Sequence, residues 1–339
     1  MGKQKLKIFK LHFTTPLHLG DVRDDYSVSL KTISSDTIYS ALIACLAKYG
    51  YTVPSDGDLG CTVSSLFPFY QKNKEAKPIL FFPKPLKQAV PKLSDVSKAK
   101  KIKKLLWLDG NFFADAINGK EIFNDNAVNE VHGDFLTNAK DFDEKFMSTE
   151  TTPRVSIVSR TGTDDAEPFY MERLYFKGYS GMFFISQGDN TLLEKALALL
   201  QNEGIGTDRN VGNGYFEFDS SIDVDTIELD LPDKSDFAMS LSSFVPDDEV
   251  QLQEMLSSDR VAYDFQRRGG WITDYPYNSF RKNSIYAFVS GSVFKKNISG
   301  INCFGKVDIN LKPTIGFNEV QHPIWRCGRS IFIPVKNND

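Results

Sequence analysis

The order strand, helix, strands, helix, strand in the first part of the chain predicts an α+β fold of the ferredoxin-like kind. Three observations carry that reading. Alternating or aromatic-rich runs mark the strands, two capped apolar-striped runs mark the helices, and the second part repeats the theme loosely without a fixed period. Two units are expected, with a long insertion in the first.

Leu6–Phe13 alternates, with Phe9, Leu11 and Phe13 on one face, and predicts the first strand; Thr14-Thr15-Pro16 ends it. Ser34-Ser35-Asp36-Thr37 is a helix start, with a hydroxyl able to cap and Asp36 in the first turn. That helix runs to about Tyr49 and turns Ile38, Leu42, Cys45 and Leu46 inward. Ala41, Ala44 and Ala47 would let it lie close to a sheet, and Gly50 stops it. Leu66–Tyr70 is a short apolar piece, and Ile79–Pro85 a strand closed by prolines. An insertion at about 84–150 follows, lysine-rich at first, carrying Leu105-Leu106-Trp107-Leu108, then polar and weakly periodic. It is expected to project from the core. Val155–Val158, Pro168–Phe176 and Gly181–Ser186 predict strands, with a turn over Thr161–Glu167. Thr191–Asn202 places Leu193, Ala196, Leu197 and Leu200 on one helix face, and Tyr215–Phe218 is strand-like. Composition turns acidic near Asp219–Asp236, which sets the domain boundary: 1–218 and 219–339. In the second domain, strands are expected at Phe237–Phe244, Val261–Phe265, Ser284–Val289 and Ser330–Val335. Asp247–Ser258 predicts a short helix with Val250, Met255 and Leu256 inward.

Hydrophobic content of 41% and charged content of 25% over 339 residues fit a globular protein. No run approaches 18 apolar residues, so no membrane partner is expected, and Met1-Gly2-Lys3-Gln4-Lys5 lacks the apolar core of a secretion signal. Cys45, Cys61, Cys303 and Cys327 are scattered and suggest free thiols in a reducing, cytoplasmic setting. The net charge of −4 hides an asymmetry. Residues 71–104 hold eleven lysines against Glu75 and Asp95, and residues 219–256 hold eleven acids against Lys234. Local charge decides where a polyanion docks. A solvated insertion and an acidic linker are the plainer readings of the same two runs.

The candidate binding loop is Gly204–Gly214, with four glycines in eleven positions around Arg209 and Asn210. Glycines allow positive φ and leave no side chain between amides and a ligand, so such a loop can wrap a phosphate backbone while Arg209 adds charge. It lacks the Gly-Lys-Ser/Thr of a nucleotide-binding P-loop, and it follows a helix where a dinucleotide fingerprint follows a strand. A helix cap and flexible turn is the alternative. Gln266-Arg267-Arg268-Gly269-Gly270-Trp271, Arg281-Lys282 and Ser290–Lys296 interleave cations, glycines and an aromatic, which suits single-stranded RNA. No pair among His12, His18, His132 and His322 has metal-ligand spacing, and no cofactor motif is present. His12 reads as structural, His322 as a strand lead-in, and His18 as the one candidate general base. Asp21 and Asp36 could form an acid pair, but loop solvation and capping account for them more simply.

Several of these pieces resemble the RAMP superfamily of CRISPR systems, and within it the fourth subunit of the type III-A (Csm) effector complex. They are Phe13–Gly20, Ile33–Ile38, Phe82–Pro85, Arg154–Ile157, Glu167–Tyr170, Gly204–Gly214, Ser290–Phe294 and His322–Arg326. As an ordered set along nearly the whole chain they are specific. The resemblance implies two ferredoxin-like (RRM-like) domains side by side, with a thumb-like insertion in the first. It also implies a non-catalytic role: capping the 5′ handle of the crRNA, anchoring the large polymerase/nuclease-type subunit, and meeting a backbone RAMP subunit. The RNA-contact positions it carries over are His18, Gly206, Arg209, Asn210, Gly212, Gly214, Gly291, Ser292 and Lys295. Arg267, Arg268 and Trp271 join them from the residue reading. Thr207-Asp208 departs from the small or basic residues usual in the family, and an acid beside phosphate is unfavourable. Two other functions stay open. One is a metal-independent endoribonuclease that processes CRISPR repeat RNA, with His18 as base and Arg209 or Lys295 on the phosphorane. The other is a pure protein scaffold.

Overall fold

A twelve-residue strand, β1 (Gly2–Phe13), opens the chain, and the first sheet is built on both of its edges. The computed structural model describes residues 2–20, 26–86, 96–123, 130–156, 167–272, 281–311 and 324–336. After β1 come α1 (Ser35–Lys48), β2 (Cys61–Val63), β3 (Phe67–Tyr70), β4 (Ile79–Pro83), α2 (Val96–Lys104), β5 (Trp107–Asp109) and α3 (Gly110–Ile117). β6 (Val131–His132), β7 (Phe135–Leu136), β8 (Met147–Ser156), β9 (Glu167–Phe176), β10 (Gly181–Gly188), α4 (Thr191–Leu200), β11 (Phe216–Glu217) and β12 (Val224–Leu231) complete the first part.

The antiparallel order β11/β12, β1, β10, β3/β2 is that of a ferredoxin-like unit, fourth strand beside first, then third, then second. α1 and α4 pack against each other. The stripe Ile38, Leu42, Cys45 and Leu46 is buried as its spacing predicts, and so is Leu193, Ala196, Leu197 and Leu200. From Ile8 onward β1 is buried on both faces. Its polar positions are therefore paired: His12 bonds Tyr179 O at 3.0 Å and Asp223 at 2.8 Å, and Lys10 lies 3.8 Å from Asp223. His12 is structural, as expected.

The described part of the insertion does not stand off from the core. β4, β5, β7 and β6 extend the sheet beyond β3, and Trp107, Leu108, Phe113, Ile117, Phe135 and Leu136 join the main core. Strands of two or three residues have no period to read, which is why this packing was not visible in the sequence. By contrast the ribbon β8–β9 pairs along ten residues with itself, Met147 opposite Phe176 through Ser156 opposite Glu167. A bridge from Leu17 to Leu174 ties it to the body.

The acidic stretch after residue 218 is also structured. β12 pairs with β1 from Gly2 opposite Leu231 to Phe9 opposite Val224, with Lys3 3.2 Å from Glu228. The first sheet thus runs on to Leu231. The expected boundary at 218/219 falls in the turn between β11 and β12. Acids occupy the open side of this strand, while Leu229 and Leu231 are buried.

The second part contains β13 (Lys234–Ser240), α5 (Glu249–Met255), β14 (Phe265–Arg268), β15 (Ile285–Phe288) and β16 (Val293–Ser299). β17 (Asn302–Phe304), β18 (Val307–Leu311), β19 (Ile324–Cys327) and β20 (Ser330–Pro334) follow. Its sheet runs β16, β13, β20, β17, which keeps the third–first–fourth core of a ferredoxin-like unit. β14–β15 and β18–β19 are separate ribbons. α5 is capped by Asp248, whose carboxylate accepts the Gln251 amide at 2.8 Å. It buries Met255 but not Val250, which is 64% exposed, because two turns present few positions to the sheet. The strand expected at Val261–Phe265 is only a bridge, Ala262 to Val293; the ribbon strand starts where that run was to end. The core is shared: Met239, Leu241, Val293, Trp325, Ile331 and Ile333 join the cluster of the first sheet. Asp21, residues 161–166 of the turn expected at Thr161–Glu167, and His322 lie outside the described residues.

Cys45, Cys61 and Cys327 are buried and Cys303 is exposed. Burial pushes Cys45 and Cys61 up to about 11 and Cys327 to about 12 and raises Cys303 as well, so thiolate is scarce at all four and access to the reagent separates them. DTNB should therefore titrate one fast thiol in the native chain, Cys303, and all four only after denaturation. A second fast thiol would show that the core opens around it.

Candidate functional site

The loop leaving α4 turns back on itself. Gly204, Gly206, Asp208, Gly212 and Gly214 all have positive φ, from +59° to +95°. A 3-10 turn, Arg209–Val211, sits at its tip. Three of the four glycines are explained by close backbone contacts. A Cβ on Gly214 would lie 1.8 Å from Ile205 O, one on Gly206 2.6 Å from His18 O, and one on Gly204 3.1 Å from Asn213 O. Only Gly212 faces open space. Many of the amides are likewise engaged: Ile205 N to Gly214 O at 3.0 Å, Thr207 N to His18 O at 3.0 Å, Gly214 N to Pro16 O at 2.7 Å, and Asn213 N to Asp208 O at 3.3 Å. The amides of Gly206, Asp208, Arg209 and Asn210 find no partner among the described residues. These four, at the tip, are the ones a phosphate could use.

Asp208 is turned away from conflict with an anion, because its carboxylate lies 3.5 Å from Arg154 on β8. His18 is 1% exposed; its Nδ1 donates to Glu172 O at 2.7 Å, and its carbonyl supports the loop from below.

A cleft of about 630 Å³ opens beside this loop. One wall is α1 and the loop: Thr37, Ser40, Ala41, Ala44, Lys48, Gly206, Thr207 and Arg209. The other wall comes from the second part: Arg268, Gly269, Trp271, Lys282 and Arg326. Five cations line it, Lys48, Arg209, Arg268, Lys282 and Arg326, against the two carboxylates Asp36 and Glu203. Both carboxylates are paired: Asp36 with Arg326 at 2.7 Å, and Glu203 with Lys48 at 2.6 Å. The Lys48 ammonium, with help from the Tyr49 hydroxyl, holds Glu203 below the usual carboxylate range. The remaining excess is positive, in a concave site where field lines concentrate. Arg281 stacks its guanidinium 4.9 Å from the Trp271 ring, and the two residues form a strand bridge.

The cleft therefore gathers Gly206, Arg209, Arg268 and Trp271 from the residues expected to bind RNA. The others lie elsewhere. Asn210 and Gly212 form the exposed outer edge of the loop, and Gly214 is buried at its neck. Arg267 is exposed and donates to Ser284 Oγ at 3.1 Å. Gly291 and Ser292 make a buried turn, Ser292 Oγ donating to Val289 O at 2.8 Å, and Lys295 is exposed on β16. The sequence reading missed Lys48 and Arg326. Thr37, Ala41, Ala44 and Lys48 recur at spacings of four, three and four, one helix face. Ala41 and Ala44 line the cleft, where their small size leaves room, and Ala41 also packs against the main core.

Residues 10–217 match the RAMP superfamily, and residues 233–335 match the CRISPR Csm4 C-terminal domain. A curated Csm4 protein of Streptococcus thermophilus is 28% identical over 281 residues, covering 79% of this chain and 83% of that protein. One from Mycobacterium tuberculosis is 26% identical over 209 residues, covering 59% and 64%. Among solved structures, a chain of a Csm3–Csm4 subcomplex from a type III-A interference complex superposes with a TM-score of 0.57 at 17% identity, covering 98% of this chain and all of that one. A chain of a Csm1–Csm4 cassette in complex with pppApA gives 0.57 at 16% identity, covering 99% of this chain and 100% of that chain. The chain belongs to the RAMP superfamily, and within it to the Csm4 subunits of type III CRISPR complexes. No helix among the described residues is long and apolar enough to cross a membrane.

Proposed function

We propose that this chain is a non-catalytic subunit that holds the 5′ handle of the crRNA in the cleft between its two domains. It would also anchor the large polymerase/nuclease-type subunit and a backbone RAMP subunit, in antiviral and anti-plasmid defence. The observation that carries the RNA reading is convergence. Arg209, Arg268, Lys282 and Trp271 come from two domains and distant segments, yet line one concave site with a positive excess. Cations for phosphates and a flat ring for a base are what a single strand needs. The partner reading is supported by the subcomplexes in which similar chains were solved, Csm1–Csm4 and Csm3–Csm4. The non-catalytic reading is supported by the burial of His18, which is 1% exposed and already donates to Glu172 O. A base that attacks through a 2′-hydroxyl has to reach it.

Arg209→Ala tests the RNA reading. Crude crRNA occupancy should fall, and the slope of log affinity against log salt should become shallower by about 0.7, the value of one single-strand phosphate contact. Unchanged occupancy and slope would sink the proposal. Incubation with repeat RNA in EDTA is the companion experiment. Cleavage by the wild type, lost in His18→Ala, would replace this reading with the endoribonuclease.

A further inference from the structure

Arg326 differs from the other cations of the cleft. It is 4% exposed, and every described contact of its two terminal nitrogens is internal. Nη1 donates to Asp36 Oδ2 at 2.7 Å; Nη2 donates to Gly269 O at 2.5 Å and approaches Arg268 O at 3.4 Å. The other oxygen of Asp36 accepts the amide of Cys327 at 3.0 Å. One guanidinium thus joins three segments: the first turn of α1, strand β19, and the end of β14. A planar fork can hold a carboxylate and two carbonyls at once, and a lysine ammonium cannot keep that geometry.

The segment held this way is the second wall of the cleft. Arg268 adds a bond of its own across the domains, Nη2 to Thr37 Oγ1 at 2.7 Å, one residue from Asp36. Beyond it come Gly269 and Gly270, both exposed, the latter at φ +111°. Such a pair leaves the backbone free to swing unless something fixes it. Trp271 follows, and Lys282 N bonds Gly270 O at 2.9 Å.

We propose that the Asp36–Arg326 pair is a positioning device. It sets Arg268 and Trp271 opposite Arg209 at the spacing a bound strand requires, and Arg326 does so without touching phosphate. This rests on the RNA reading above. It adds that part of the affinity comes from two residues that never meet the ligand, because the side chains that do are ordered beforehand.

The test uses the full chain with Arg326→Lys, and separately the neutral pair Asp36→Asn with Arg326→Gln, which leaves no buried charge unpaired if the first variant folds poorly. Two quantities are read: binding of a 5′-handle RNA oligonucleotide across a salt series, and amide hydrogen exchange over residues 265–272. Freeing two side chains that must then be ordered on binding should weaken affinity about tenfold. The salt slope should stay that of the wild type, and faster exchange should be confined to 265–272. A shallower slope in the neutral pair would make Arg326 a phosphate contact and overturn the proposal. So would full affinity despite faster exchange, or unchanged exchange. Wild-type binding that depends on Arg209 but ignores both variants removes the positioning role alone. Failure of the wild type to bind handle RNA removes the RNA reading, and the RNA role of the pair with it.

Discussion

Gly214→Ala should destabilise the protein by about 3–4 kcal/mol and abolish the RNA binding proposed above. The residue sits at φ +77°, and an added Cβ would lie 1.8 Å from Ile205 O and 2.9 Å from the carbonyl carbon. Both atoms are backbone, so neither can rotate aside. They are also tied down, since Ile205 N bonds Gly214 O at 3.0 Å and Gly214 N bonds Pro16 O at 2.7 Å. The loop crosses its own neck there, and the segment Pro16–His18 is the floor beneath it. Gly212→Ala is the matched control. Its φ of +92° is equally left-handed, but open space surrounds it, so the stability cost should be only the conformational one, about 1–2 kcal/mol. Urea melts combined with RNA titration separate the two reasons for a glycine. A Gly214→Ala chain as stable as the wild type would mean the neck is not as described. A Gly212→Ala chain with reduced affinity beyond its stability loss would mean that RNA comes against the outer edge of the loop.

That contrast bears on how much of the site was legible in the sequence. The density of glycines correctly marked a tight loop, and Arg209 at its centre does reach the cleft. Three of the glycines serve chain packing against Ile205, His18 and Asn213, contacts between segments that no local pattern encodes. The fold was more legible than the site. α1, α4 and β1 have clear periods and β10 is a continuous apolar run, and their order specified the ferredoxin-like core before any pairing was known. β12 was misjudged because its acids outweighed its alternation, although Ile227, Leu229 and Leu231 recur every second residue. Charge on a strand's open face says nothing about whether the other face is buried. The second wall of the cleft was half visible. Arg268 and Trp271 stood out by composition, but Arg326 lies 290 residues from Asp36, and only the folded chain brings them together.

The size of one effect decides between two accounts of Asp36. As an acid in a first helical turn it would contribute about 0.3–1 kcal/mol through the helix dipole, and Asp36→Ala would be a mild change. In the structure it is 2% exposed, paired with Arg326 and bonded to the Cys327 amide. Removing it leaves a guanidinium buried without a counter-charge, which costs about 3–5 kcal/mol. Asp36→Ala should therefore shift the denaturation midpoint far more than a lost dipole contact can. Arg326→Met should do the same by stranding the carboxylate. Combining Arg326→Met with Asp36→Leu should recover part of the loss, because no charge is left unpaired, while the Cys327 amide that loses its acceptor keeps about 1–3 kcal/mol of it. A recovered double variant would also be informative about RNA. It restores the fold but not the fork to Gly269 and Arg268, so its stability should return in part while its affinity stays low.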